Sequence, residues 1–192
     1  EGEVVFTTAS CGYPQTLTDP SYCGQMVVFA FPPIGIYGVD TERLEGRRPW
    51  LTAALVTRLD ETKNGRFEKL SSWLLEKGVP LVEGIDTRQL ILKVRNFGSI
   101  MGRLDTKPVK PQMAELPRDM VTTVSCKQVE TYGEGGVTIG LLDYGVKENI
   151  IRSFTDRGCR VVRFPNLTKA EDVLAAGLDG LPTPAWDLLA GR

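Results

Sequence analysis

The sequence predicts an α/β protein, on three observations. Between residues 137 and 180, apolar runs of strand length alternate with helix-patterned segments in the order β-α-β-α, the opening of a parallel sheet. Residues 26–31 are continuously apolar, which suits a strand buried on both faces. A composition of 42% hydrophobic and 24% charged residues over 192 positions supplies enough apolar surface for a sizeable core.

The elements follow in order. Val4-Val5-Phe6 is the first strand. Gly12-Tyr13-Pro14 and Thr18-Asp19-Pro20-Ser21 read as turns, because Pro and Asp pre-set turn geometry. The strand at 26–31 is broken by Pro32, Pro33, Gly35 and Gly38, and residues 51–59 form another strand. Phe67, Leu70, Trp73 and Leu74 recur at three and four residues, predicting a helix over 67–76 that Gly78 and Pro80 end. Leu81-Val82 is a short strand. Asp86 is placed to N-cap a helix whose apolar face is Leu90, Ile91, Val94 and Phe97, with Gly98 as its stop. A strand returns over 100–104, and the proline-bearing stretch 105–119 is irregular.

Residues 127–136 are polar and glycine-rich and read as a linker. Beyond it come a strand over 137–142, a helix over 147–157 with Ile150, Ile151 and Phe154 on one face, and a strand over 160–164. Thr168 with Glu171 has the spacing of a capping box for a second helix. A third parallel strand is due after Gly180. Pro182 and Pro184 remove two ladder donors there, so 181–186 is excluded as a central strand. Two strands and two helices make a small unit, so the second domain reads as cut short and of marginal stability. The opening at Glu1, with a strand directly behind it, likewise reads as a start inside a structure.

Composition narrows function. A net charge of −1, from 23 Lys+Arg against 24 Asp+Glu, provides no field for a nucleic-acid backbone. With no histidine among the 192 residues, Ser-His-Asp and Cys-His mechanisms and His-ligated zinc are excluded within this chain. No apolar run reaches the ~18–20 residues of a membrane span. Cys11, Cys23, Cys126 and Cys159 are widely spaced and form no C-x-x-C, so they read as free thiols of a reducing cytosol rather than a metal site, redox pair or disulfide framework. None lies in a Gly-x-Cys-x-Gly elbow, and no catalytic or metal-binding residue is assigned.

Three motifs can contact a ligand, each with a plainer alternative. Thr18-Asp19-Pro20-Ser21-Tyr22 is a turn that can present the Ser21 hydroxyl, or simply a turn. Gly84-Ile85-Asp86-Thr87-Arg88 is an anion site at a helix start or an N-cap beside a surface arginine. Asp143-Tyr144-Gly145-Val146-Lys147 joins a strand to a helix where open α/β sheets bind ligands, yet it matches neither G-x-G-x-x-G nor a Walker loop.

Taken together, Gly2-Glu3-Val4-Val5-Phe6, Gly12-Tyr13, Leu17-Thr18-Asp19-Pro20-Ser21-Tyr22, Gln25, Pro33-Ile34-Gly35 and Gly38 closely resemble one family. So do Gly84-Ile85-Asp86-Thr87-Arg88-Gln89-Leu90, the stretch 98–102, Asp143-Tyr144-Gly145-Val146-Lys147-Glu148-Asn149-Ile150-Ile151-Arg152 and Arg157-Gly158-Cys159. The family is the small, glutamine-hydrolysing subunit of carbamoyl phosphate synthetase, and the resemblance runs from residue 1 to about 180.

The resemblance implies a β/β/α swivelling domain over 1–126, lacking its first strands, and a linker over 127–136. A partial class I glutamine amidotransferase domain of flavodoxin-like fold would occupy 137–181, and 182–192 would be a non-matching tail. It implies that Ser21 contacts bound glutamine. The Ser-Asn-Gly-Pro-Gly-Asp-Pro loop, the nucleophile elbow and the His-Glu pair of the family's Cys-His-Glu triad have no counterpart here. Thr7 and Ile36 stand where the family often has Asn.

The expected role is a small subunit that supplies ammonia from glutamine to a large subunit making carbamoyl phosphate for arginine and pyrimidine synthesis. It would be cytoplasmic, without a cofactor of its own, since ATP and Mg serve the large subunit. This chain alone is expected to be inactive as a glutaminase. The alternatives are a non-catalytic module that docks on a synthetase large subunit, and an independent ligand-binding protein using the Asp143–Lys147 turn.

Overall fold

The structure is a computed structural model and describes residues 1–61, 67–107 and 119–182. The chain divides into two compact units, 1–118 and 119–192.

The first unit is built on a five-stranded sheet of β1 (Gly2–Thr7), β2 (Gln25–Phe29), β3 (Ala53–Leu55), β4 (Leu81–Val82) and β5 (Ile100–Gly102), in the order β4-β3-β2-β1-β5. β1, β2, β3 and β4 run parallel, and β5 is antiparallel to β1. The apolar run that predicted a doubly buried strand is β2, and alternate residues serve opposite faces. Val27 and Phe29 pack with Tyr13 and Leu17 of α1 (Tyr13–Thr18) and Leu70, Trp73 and Leu74 of α2 (Leu70–Glu76). Met26 and Val28 pack with Val94, Leu90 and Ile91 of α3 (Thr87–Phe97).

Local differences have local causes. The turn expected at Gly12 opens α1: Gly12 takes φ 78 and Pro14 occupies the first helical turn, where its missing N–H costs nothing. Six residues are too few for a periodicity to show. The helix expected from Phe67 begins at Leu70, and the strand expected over 51–59 is confined to Ala53–Leu55. Phe97, expected on the apolar face of α3, is 78% exposed. It is the last residue of the helix, one turn beyond the buried Val94.

The second unit carries β6 (Glu130–Tyr132), β7 (Val137–Asp143) and β8 (Cys159–Pro165) in the order β6-β8-β7. α5 (Glu148–Thr155) packs its Ile150, Ile151 and Phe154 on Leu141 and Val161, and Val173 of α6 (Ala170–Leu174) packs on Val162 and Phe164 of the opposite face. A short helix α4 (Met120–Val124), capped by Asp119, precedes β6. The stretch read as a linker therefore contains a strand. Its polarity follows from its partner, because antiparallel pairing sets Glu130 opposite Arg163. The expected domain boundary after residue 126 falls within this second unit.

The capping box does not form. Lys169 is the N-cap of α6, one residue later than Thr168, and no side chain caps that end. The chain returns beside β7 through a parallel bridge between Ile139 and Gly180, with Gly140 N–H on Gly180 O at 2.8 Å. Leu181 and Pro182 extend no strand, while Pro184 and the rest of the expected tail lie outside the described residues.

Candidate functional site

Ser21 sits on a 3-10 turn, Pro20–Tyr22, between α1 and β2. Asp19, itself buried, accepts the Ser21 N–H on Oδ1 at 2.9 Å. Tyr22 N–H bonds Asp19 O at 3.1 Å and Cys23 N–H bonds Pro20 O at 3.0 Å, so the turn closes on itself. Thr18 is fully buried; its hydroxyl donates to Pro14 O at 2.8 Å and accepts Glu45 N–H at 2.9 Å. Ser21 is exposed, and its hydroxyl has no hydrogen-bond partner among the described residues. The result is a fixed turn with one unspent hydroxyl at its surface, able to donate to or accept from a bound molecule.

Behind this turn, Trp50 N–H bonds Leu17 O at 3.1 Å, and the Arg48 guanidinium lies 4.1 Å from the centre of the Trp50 ring. Burial pushes the Cys23 thiol up, with the charge of Arg48 opposing it. That keeps the thiol protonated and unreactive near neutral pH.

A shallow cleft lies elsewhere on the same unit, past the C-terminal ends of β1 and β2. Thr7, Cys11, Phe31, Ile36 and Tyr37 line it. Tyr13 and Tyr37 stack at 4.4 Å between ring centres. The Tyr13 hydroxyl donates to Gly38 O at 2.8 Å, and the Tyr37 phenol oxygen accepts Gly12 N–H at 2.7 Å. Burial raises both phenols, Tyr13 the more strongly, so both stay neutral. Ser21 is not among the cleft residues. Thr7 and Ile36, the two departures from the family's usual Asn, both are.

The start of α3 behaves as a capped helix end. Asp86 Oδ1 accepts Gln89 N–H at 2.9 Å, which occupies the donor an anion would need. Arg88 is exposed, and Thr87 is buried with its hydroxyl 2.8 Å from that of Thr57.

The Asp143–Lys147 turn is likewise absorbed by the fold. Asp143 has no exposed surface. Its Oδ1 accepts Gly145 N–H at 3.0 Å and Val146 N–H at 2.9 Å. Its Oδ2 accepts Cys126 N–H at 2.6 Å and Arg163 Nε–H at 2.7 Å. Arg163 is 5% exposed and also meets Glu148 at 3.0 Å and Glu130 at 3.7 Å. Burial is the largest single influence and works against the guanidinium charge, but Asp143, Tyr132 and Glu148 together outweigh it and the net shift is upward. The carboxylate thus has no capacity left for a ligand, which removes the expectation of an independent binding site built on Asp143. Its signal lay in the strand: an arginine inside Val161-Val162-Arg163-Phe164, buried on both faces, requires a carboxylate partner.

All four cysteines are free; Cys11 is exposed and Cys126 buried. Among the described residues no group of three His, Cys, Asp or Glu side chains is arranged to hold a metal ion, and no helix is long and apolar enough to cross a membrane.

Residues 1–104 match the family described as carbamoyl-phosphate synthase small chain, CPSase domain. The carbamoyl phosphate synthase small chain of Bacillus anthracis is 39% identical over 188 residues, covering 94% of this chain and 52% of that protein. The small chain of Staphylococcus epidermidis is 38% identical over 189 residues, with 94% and 52% covered. The arginine-specific small chain of Geobacillus stearothermophilus is 37% identical over 182 residues, with 94% and 51% covered. The chain spans about half the length of the curated relatives it matches.

Proposed function

The chain belongs to the carbamoyl-phosphate synthase small-chain family, and on that premise we propose that it carries the glutamine-facing part of a small subunit that serves glutamine-dependent carbamoyl phosphate synthesis. In this reading the first unit is the swivelling domain that meets the large subunit. The second is the opening of a class I amidotransferase domain. Ammonia freed from glutamine passes to the large subunit, where ATP and Mg are used, and the product enters arginine and pyrimidine synthesis in the cytoplasm.

The observation that carries the reading is the Ser21 turn. A hydroxyl without a partner among the described residues, on a backbone pinned by Asp19, is suited to hold a polar amino-acid ligand. Support for the flavodoxin-like half comes from the strand order. β8 follows β7 on one side and the Gly180 bridge lies on the other, a 2-1-3 arrangement.

What this chain lacks is a histidine base. Without histidine it has no Cys-His pair, and its most buried thiol, Cys126, is held protonated. Its role is therefore to bind and present glutamine, with hydrolysis requiring residues it does not contain.

Titration of the isotope-labelled chain with glutamine tests this. The Ser21 and Tyr22 amide signals should shift, Ser21→Ala should abolish the response, and no glutamate should be released. Release of glutamate by the purified chain would refute the inactive reading. Retention on a large subunit with no response to glutamine would favour a purely docking role instead.

A further inference from the structure

The Ser21 turn is held from behind by a segment with no assigned role. Glu45 donates its N–H to the buried Thr18 hydroxyl at 2.9 Å, and Trp50 donates its N–H to Leu17 O at 3.1 Å. Between these two bonds lies Gly46. A Cβ there would overlap Thr18 O and stand 2.7 Å from Trp50 Nε1. Gly46 does not occupy the left-handed region, so the requirement for glycine is one of space alone. The Thr18 carbonyl and the Trp50 indole leave room for backbone only.

We infer that Gly46, acting through Thr18, is a positioning residue for Ser21. The chain of contacts is continuous. Gly46 lets segment 45–50 press against Thr18; Thr18 is tied to α1 by its bond to Pro14 O at 2.8 Å; Asp19 follows directly and holds the Ser21 N–H at 2.9 Å. Pro20, buried at the first position of the 3-10 turn, removes the remaining freedom in φ. The Ser21 hydroxyl is thereby aimed by residues that touch no ligand. A shift of Thr18 by the radius of a methyl group would move Asp19 and release the Ser21 N–H.

This inference rests on the glutamine reading of Ser21 for its functional consequence, but its geometric part can be measured without any ligand. Amide hydrogen exchange of Gly46→Ala should show Ser21 exchanging roughly tenfold faster, while the Val27 and Val28 amides of β2 keep their protection. Glutamine affinity should fall by about tenfold in parallel, since small displacements of a positioned group weaken binding out of proportion to their size. Unchanged Ser21 exchange in a folded Gly46→Ala chain overturns the inference. If that variant does not fold, the Thr18 pair decides: Thr18→Ser keeps both hydroxyl bonds and the native Ser21 exchange, whereas Thr18→Val loses them. Equal Ser21 exchange in both would overturn it. A native chain that ignores glutamine, yet whose Ser21 amide responds to Gly46→Ala, sinks the glutamine reading and leaves the clamp standing.

Discussion

Asp143 and Arg163 form a buried ion pair in which one carboxylate oxygen, Oδ2, receives both Nε and Nη2 of the guanidinium at 2.7 Å. The other oxygen holds the turn that starts α5. One aspartate therefore fastens three pieces of the second unit: the end of β7, the neighbouring strand β8, and the approach to β6 through the Cys126 N–H. The family-like run that begins at Asp143 reads as a ligand turn from its position, and its acid is spent on architecture.

Truncating Arg163 tests that conclusion. Arg163→Ala deprives Asp143, which has no exposed surface in the native chain, of its guanidinium partner, and removes one partner each of Glu148 and Glu130. Breaking a buried pair in this way costs about 3–5 kcal/mol. Urea denaturation followed by signals from the second unit should show that loss, with the first unit's transition unmoved. A loss below about 1 kcal/mol would mean the pair is far better solvated than its burial indicates.

The two readings of the α3 start separate cleanly by substitution. Asp86 caps Gln89 N–H, so Asp86→Ala should cost about 1 kcal/mol of first-unit stability. Arg88 is exposed, and Arg88→Ala should stay within about 0.5 kcal/mol. Phosphate or sulfate should stabilise neither protein. Anion stabilisation that disappears with Arg88→Ala would restore the anion-site reading.

A pair of apolar residues distinguishes core from surface in the same unit. Leu74 of α2 is 1% exposed and Phe97 of α3 is 78% exposed. Leu74→Ala should cost about 2–5 kcal/mol by leaving a cavity against Val27 and Phe29. Phe97→Ser should change stability by less than about 0.5 kcal/mol. Thermal melts of the two variants give the comparison directly; a large loss for Phe97→Ser would show that this ring is covered in solution.

What could be read from residues alone follows physical reach. β2, α3 and the β7-α5-β8 run were legible because β2 and β8 bury consecutive residues, α3 and α5 repeat apolar residues at helical spacing, and Asp86, Gly98 and Gly158 mark helix ends. α1 was not, since six residues with Pro14 inside resemble a turn. β6 was not, since its polarity answers to Arg163, more than thirty residues further along the chain. The Ser21 motif was legible as a turn with a hydroxyl. Its clamp by Glu45, Gly46 and Trp50 was not, because a bond from Glu45 N–H to Thr18 joins residues 27 apart.

Burial first, and then the negative charge of Asp143, push the Cys126 thiol up to about 11, against an ordinary value of 9.0. Near pH 8 only about one molecule in a thousand carries the thiolate, so alkylation of the folded chain should strike exposed Cys11 long before Cys126. The same shift sets a pH dependence. The folded state favours the neutral thiol, so its contribution to stability is complete below pH 9 and is lost as pH rises from 9 toward 11. Cys126→Ser should flatten that decline in urea titrations run across the same range. Mass spectrometry of partly alkylated native protein supplies the independent check: modification of Cys126 ahead of Cys11 would mean that the segment between α4 and β6 opens readily, and the Cys126 N–H bond to Asp143 with it.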